Sequence, residues 1–129
     1  MLKIHTLNDQ ICSHRNNAPH GVEVPPNARI LFCNGQVGAR LDGTVPEDPR
    51  EQHKVIFERI GIILAASKMT FDDIVRLTVF FSDSSIPDWF SQETARITGG
   101  TKPATVIAVN KFPRPGIVLE VEAIAAKVD

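Results

Sequence analysis

The chain lacks any apolar run long enough to cross a bilayer, any excess of basic charge and any paired cysteine spacing, and each lack removes a class of function. Its 14 Lys and Arg are set against 15 Asp and Glu for a net charge of −1. The basic residues are dispersed. A nucleic-acid partner needs a basic stripe to displace counterions from phosphates, so the composition argues against one. The 2 cysteines, Cys12 and Cys33, have no CxxC spacing, and a domain of this size manages without staples, which favours reduced thiols. The 4 histidines are scattered without HExxH or HxH spacing, so no dedicated metal site is expected. The amino terminus, MLKIHTLNDQ, carries two charges and no long apolar segment, unlike a secretory signal. The expectation is a cytoplasmic protein without membrane association.

What is present is ordinary globular material: 43% apolar residues over 129 positions, enough for one domain, 1–129, with a sheet and one layer of helices. Short strands are expected at 2–7 and 21–24, with an Asn-, Pro- and His-rich loop between. A clear strand at 29–34, RILFCN, ends at Gly35, and LDGTVPEDP is a turn-rich connection. Asp48, Pro49 and Glu51 then mark a helix start, with an acid at the N-cap, proline at the first helical position and a glutamate able to reach back. Ile56, Ile60 and Ile63 recur at helical spacing, broadened by Val55, Phe57 and Leu64, while His53, Lys54, Glu58 and Arg59 read as the polar side. Gly61, costly inside a helix, suggests close approach to a strand. DDIVRLTVFFSD supplies a strand at 74–81, so strand, helix and strand imply a parallel crossover. A second helix is expected over 85–97 on Trp89 and Phe90, stopped by TGGTKP. Strands at 104–109 and 117–127 are read as a terminal hairpin.

The fold class is α+β, a mixed sheet with two helices on one face. Two helices cover one side of a sheet only. With Val79, Phe81, Ile107, Val118 and Ile124 too apolar for both faces to be wet, the other side calls for another chain, and self-association is expected.

Chemistry is sparse. Glu120 and Glu122 interrupt the apolar run GIVLEVEAIAAKVD and, in a strand, project from one face with Val118 and Ile124. A hairpin about FPRP would set Thr105 opposite Glu120 and Ile107 opposite Val118, gathering a hydroxyl, a carboxylate and apolar neighbours into a spot able to orient a water. The plain alternative is a solvated strand face. Ser13 and His14 are adjacent in a loop and form no triad. GQVGARLDG has glycines but no strand-to-helix phosphate cradle, Cys33 reads as a small core residue, and His20, between Pro19 and Gly21, as a loop residue.

Three segments, RILFCNGQVG, the helix-to-strand block EQHKVIFERIGIILAASKMTFDDIVRLTVFFSD, and KPATVIAV with GIVLEVEAIAA, together resemble the Rid proteins, the reactive-intermediate imine and enamine deaminases of the YjgF type. The resemblance runs over nearly the whole chain. It implies a chorismate-mutase-like α+β fold, a homotrimer whose sheets form a central barrel, and a small-molecule ligand in each inter-subunit cleft. It also implies hydrolysis of an imine to a carbonyl compound and ammonia without a cofactor or metal. Glu120 aligns with the family's water-holding acid. Asn34, where the family has Ser, and Gly35 would line the cleft, with His20 about where a family Tyr falls. Thr105 is the departure, because active deaminases carry there an Arg whose planar guanidinium grips a carboxylate through two parallel hydrogen bonds. Ile107 replaces a family Cys. Three functions stay open: a Rid-like hydrolase with an altered substrate, its anion anchored by Lys102, Arg96 or Arg114 if at all; a non-catalytic trimeric metabolite binder; and an RNA-directed role, disfavoured by charge.

Overall fold

The protein is described here by a computed structural model covering residues 2–13 and 18–129. Two short strands, β1 (Lys3–His5) and β2 (Gly21–Glu23), pair antiparallel as a separate ribbon. The main sheet contains β3 (Arg29–Val37), β4 (Ile74–Phe81), β5 (Ala104–Ala108) and β6 (Leu119–Lys127), in the order β3-β6-β4-β5. Helices α1 (Pro49–Ala66) and α2 (Ile86–Thr98) supply the second layer. The fold is thus mixed α+β, two helices on a mixed sheet.

Helix α1 starts as its sequence dictates: the Asp48 carboxylate accepts a hydrogen bond from Arg50 N at 2.9 Å, and Pro49 occupies the first turn, where a missing N–H costs nothing. No return bond from Glu51 is recorded among the described residues. Both halves of a capping box instead close at Thr70 and Asp73, on the 3₁₀ turn Phe71–Asp73 that leads into β4. Ile56, Phe57, Ile60 and Leu64 of α1 meet Leu77 and Val79 of β4, Leu119 and Val121 of β6, and Ile86 and Phe90 of α2 in one apolar cluster. Gly61 does make room for a close neighbour, but it is the Phe71 ring, 3.3 Å from where a Cβ would stand, and not a strand.

Three further expectations fail, each for a physical reason. Strands β5 and β6 form no hairpin. β5 pairs parallel with β4, Thr105 beside Thr78, while β6 lies between β3 and β4 and is antiparallel to both. The connecting loop is drawn away instead of turning back: Gln52 on α1 donates to Gly116 O at 2.7 Å and accepts from Val118 N at 3.0 Å, and Arg114 donates to Gly43 O. Accordingly β3 and β4 run parallel, as a crossover requires, yet with β6 inserted between them. Strand β3 continues past Gly35 to Val37, because an irregularity between Cys33 and Gln36 absorbs the glycine instead of ending the pairing. Finally, His53 is not on the polar side. It shares the buried face of α1 four residues before Phe57, and its ring is packed among Phe57, Trp89 and Phe90.

Among the described residues, no helix is long and apolar enough to cross a membrane.

Candidate functional site on the open sheet face

Strand alternation sorts the sheet's side chains onto two faces. Leu77, Val79, Leu119, Val121 and Ala123 point at the helices and are buried. The opposite face includes three cross-strand rows beyond the Ile30–Ala126 pair at its end. Phe32, Ile124 and Arg76 form the first; Glu122, Thr78 and Thr105 the second; Val37, Glu120, Phe80 and Ile107 the third. No helix of the described residues covers these rows, and Phe32 is 74% exposed. Glu120 and Glu122 do share a face. Thr105 is on it too, but opposite Thr78 and one row away from Glu120, whose row-mate on β5 is Ile107.

Glu120 is half-buried. Its carboxylate lies directly over the irregular part of β3: a Cβ placed on Gly35 would stand 2.2 Å from Glu120 Oε2. A larger residue there would push the acid out of this position. The distorted segment is held from behind by a chain of bonds that the sequence did not advertise. Arg59 of α1 donates through Nε to Gln36 Oε1 at 2.9 Å and through Nη1 to Ala39 O at 2.8 Å, and Gln36 Nε2 donates to Asn34 O at 2.9 Å. Arg59 and Gln36 therefore position the Asn34–Gly35 backbone beneath the acid. The only sequence signal for Arg59 was its place on the polar side of α1, which spacing alone assigns to solvent.

Glu120, Gly35, Asn34, Ile107 and Thr105 are thus carried by one face and its irregular edge. His20 belongs elsewhere: its Nδ1 accepts from Leu7 N at 2.9 Å and its Nε2 lies 3.2 Å from Cys12 O, in the loops beside the β1–β2 ribbon. His14 lies outside the described residues. Cys33 is buried, and burial pushes its thiol up, which suits an inert core residue; Cys12 is exposed and neither is bridged. No cluster of three metal-binding side chains occurs among the described residues.

Of the three cations considered as anion anchors, two are otherwise engaged and one is desolvated. Arg96 pairs with Glu93 on its own helix, Arg114 holds Gly43 O, and Lys102 is half-buried, with desolvation lowering its pKa. The cation that reaches position 105 is a different one: Arg76 Nη2 donates to Thr105 Oγ1 at 2.7 Å. A hollow of about 160 Å³ beside it is lined by Phe32, Asn34, Arg76, Thr78, Glu122 and Ile124. Larger hollows, about 690 and 750 Å³, lie along the outer side of α1, near Leu41, Ile62 and Phe71, away from the acids.

Comparison with known proteins agrees with this architecture. The family model described as endoribonuclease L-PSP matches residues 18–127. The RutC family protein YjgH of Escherichia coli K12 is 44% identical over 54 residues, covering 42% of this chain and 41% of that protein. A RutC family protein of Pyrococcus horikoshii is 30% identical over 101 residues, 76% of this chain and 79% of that one. Among solved structures, the Rid protein YyfB of Yersinia pestis superposes with a TM-score of 0.74 at 23% identity, over 84% of this chain and 86% of that one. The family match over residues 18–127 and the relative of 30% identity show that the chain belongs to the Rid family of YjgF-type proteins.

Proposed function

We propose that the protein is a Rid-type hydrolase that deaminates a small imine or enamine, with Glu120 positioning the water. The observation that carries this reading is the Glu120 carboxylate seated against Gly35 on a sheet face where its row-mates, Val37, Phe80 and Ile107, are apolar. An acid so placed can accept a proton from a water while apolar neighbours limit competing solvent. In the reaction, water oxygen bonds to the imine carbon, whose π pair moves to nitrogen and takes up a proton. The resulting carbinolamine then expels ammonia as the carbonyl forms. Nothing is oxidised or reduced, so no redox cofactor is needed. A relative in Escherichia coli, 25% identical over 103 residues, bears the name reactive intermediate deaminase TdcF.

The assembly proposed with this function is a homotrimer with chorismate-mutase-like sheet packing, each cleft lying between protomers. Exposed Phe32, Ile30 and Ile107 on the uncovered face support it, since a monomer rarely leaves such a patch to water. Within that cleft Asn34, Gly35, Thr105 and Ile107 contact the ligand, and His20 reaches it only from a neighbouring copy.

The test generates 2-iminopropionate in place from serine with a dehydratase and follows release of the keto acid. The protein is expected to accelerate release, and Glu120→Ala to abolish the acceleration. No acceleration over a series of imines would favour the second reading, a non-catalytic trimeric metabolite binder, which Thr105 in place of the family Arg supports.

A further inference from the structure

We propose that Arg76, oriented by Thr105, is the anion anchor of this site, so that its ligand carries a carboxylate. The proposal rests on the open sheet face being the ligand site and adds the ligand's chemical class.

The argument begins with donor counting. A guanidinium offers five N–H donors in a rigid fork and a threonine hydroxyl both accepts and donates. Arg76 gives one N–H to Thr105 Oγ1, and no other hydrogen bond of its guanidinium is recorded among the described residues. The hydroxyl, having accepted, keeps its own hydrogen to give. The remaining guanidinium donors and the Thr105 O–H therefore lie side by side, a donor pair suited to the two oxygens of one carboxylate. Because Arg76 springs from the row of Phe32 and Ile124 and reaches the row of Thr105, its head lies over the sheet face that carries Glu120. The hollow it lines, about 160 Å³, has the volume of about five liquid waters, room for a small organic acid.

One group opposes an anion there. Glu122 lines the same hollow, yet no carboxylate of the described residues comes within 4.0 Å of the Arg76 guanidinium. Arg76 is thus held by a neutral hydroxyl and makes no contact ion pair with an acid of the described residues. Attraction by the charge-assisted pair is direct, whereas repulsion from exposed Glu122 is screened by solvent.

The experiment measures binding of 2-oxobutyrate and its neutral amide by NMR titration, with circular dichroism confirming the fold of each variant. For the acid, Arg76→Gln is expected to weaken affinity about tenfold or more, Arg76→Lys less, and Thr105→Val by a few-fold, whereas Glu122→Gln tightens it. The amide is expected to bind wild type and Arg76→Gln alike. Equal affinity of the acid for wild type and Arg76→Gln, or no binding of the acid by wild type, would overturn the proposal. The outcome is separable from the deaminase reading: Arg76-dependent binding without imine hydrolysis retains the anchor and discards the hydrolase, while Glu120-dependent hydrolysis indifferent to Arg76 does the reverse.

Discussion

The two faces of the sheet differ in what decides their side chains. On the helix side, Leu77, Val79, Leu119 and Val121 are completely buried against Ile56, Phe57 and Ile60. There any apolar residue of the right size serves. On the open side, acids, a guanidinium, hydroxyls and a bare phenylalanine alternate in three rows, and burial within one chain explains none of them. The contrast places stability on one side of the sheet and the proposed chemistry and assembly on the other, so mutations should separate cleanly.

The largest separation is expected between two phenylalanines. Phe57→Ala empties a fully buried site and should cost about 3–5 kcal/mol in urea unfolding. Phe32→Ser should cost the isolated chain about 0.5 kcal/mol or less, while sedimentation velocity should show the proposed trimer dissociating. If Phe32→Ser unfolds the chain and leaves assembly intact, the division between faces fails.

A pH effect comes next, and it belongs wholly to the helix side. His53 donates or accepts at Thr94 Oγ1, 2.9 Å away, its Nδ1 has no partner, and burial lowers its pKa to about 4. The unfolded chain, near the ordinary 6.5, binds a proton that the folded chain refuses. Stability contributed by this group is therefore whole above pH 6.5 and falls as pH drops toward 4, by about 3 kcal/mol in all. His53→Leu should remove this portion of the slope in urea titrations across that range.

Two glycines sharpen the comparison further. A Cβ on Gly38 would meet the Gln52 backbone, Cα at 2.7 Å, where the helix cannot yield, so Gly38→Ala should cost about 1–3 kcal/mol. At Gly35 the obstacle is the end of a flexible side chain, Glu120 Oε2. Gly35→Ala should change stability by about 0.5 kcal/mol or less, yet reduce imine hydrolysis by displacing the acid. Comparable stability losses in the two variants would show that Glu120 is locked in place by the fold and not free to swing.

Legibility followed the same divide. The start of α1 was visible in Asp48 and Pro49, and β4 in its β-branched and aromatic run, because caps and periodicity act locally. The buried polar residues of α1 were not: His53 and Gln52 fall on the apolar side of the turn, and only their distant partners, Thr94, Gly116 and Val118, explain them. Strand order was hidden for a similar reason. Nearness in sequence favoured pairing β5 with β6, whereas the crossing is decided by Gln52 and Arg114 seizing the intervening loop. Alternation still put Glu120, Thr105 and Ile107 on one face, since a period of two survives a wrong choice of neighbour. Arg76 went unnoticed as an anchor because its relation to Thr105 exists only across the parallel β4–β5 pair.

The central place of β6 has a consequence for how the chain acquires its shape. The strand synthesised after the other strands of this sheet is the one that β3 and β4 both need, so neither can complete its backbone hydrogen bonding until residues 119–127 arrive. A nascent chain halted upstream holds two unsatisfied strand edges apart, and collapse into a sheet waits on its keystone.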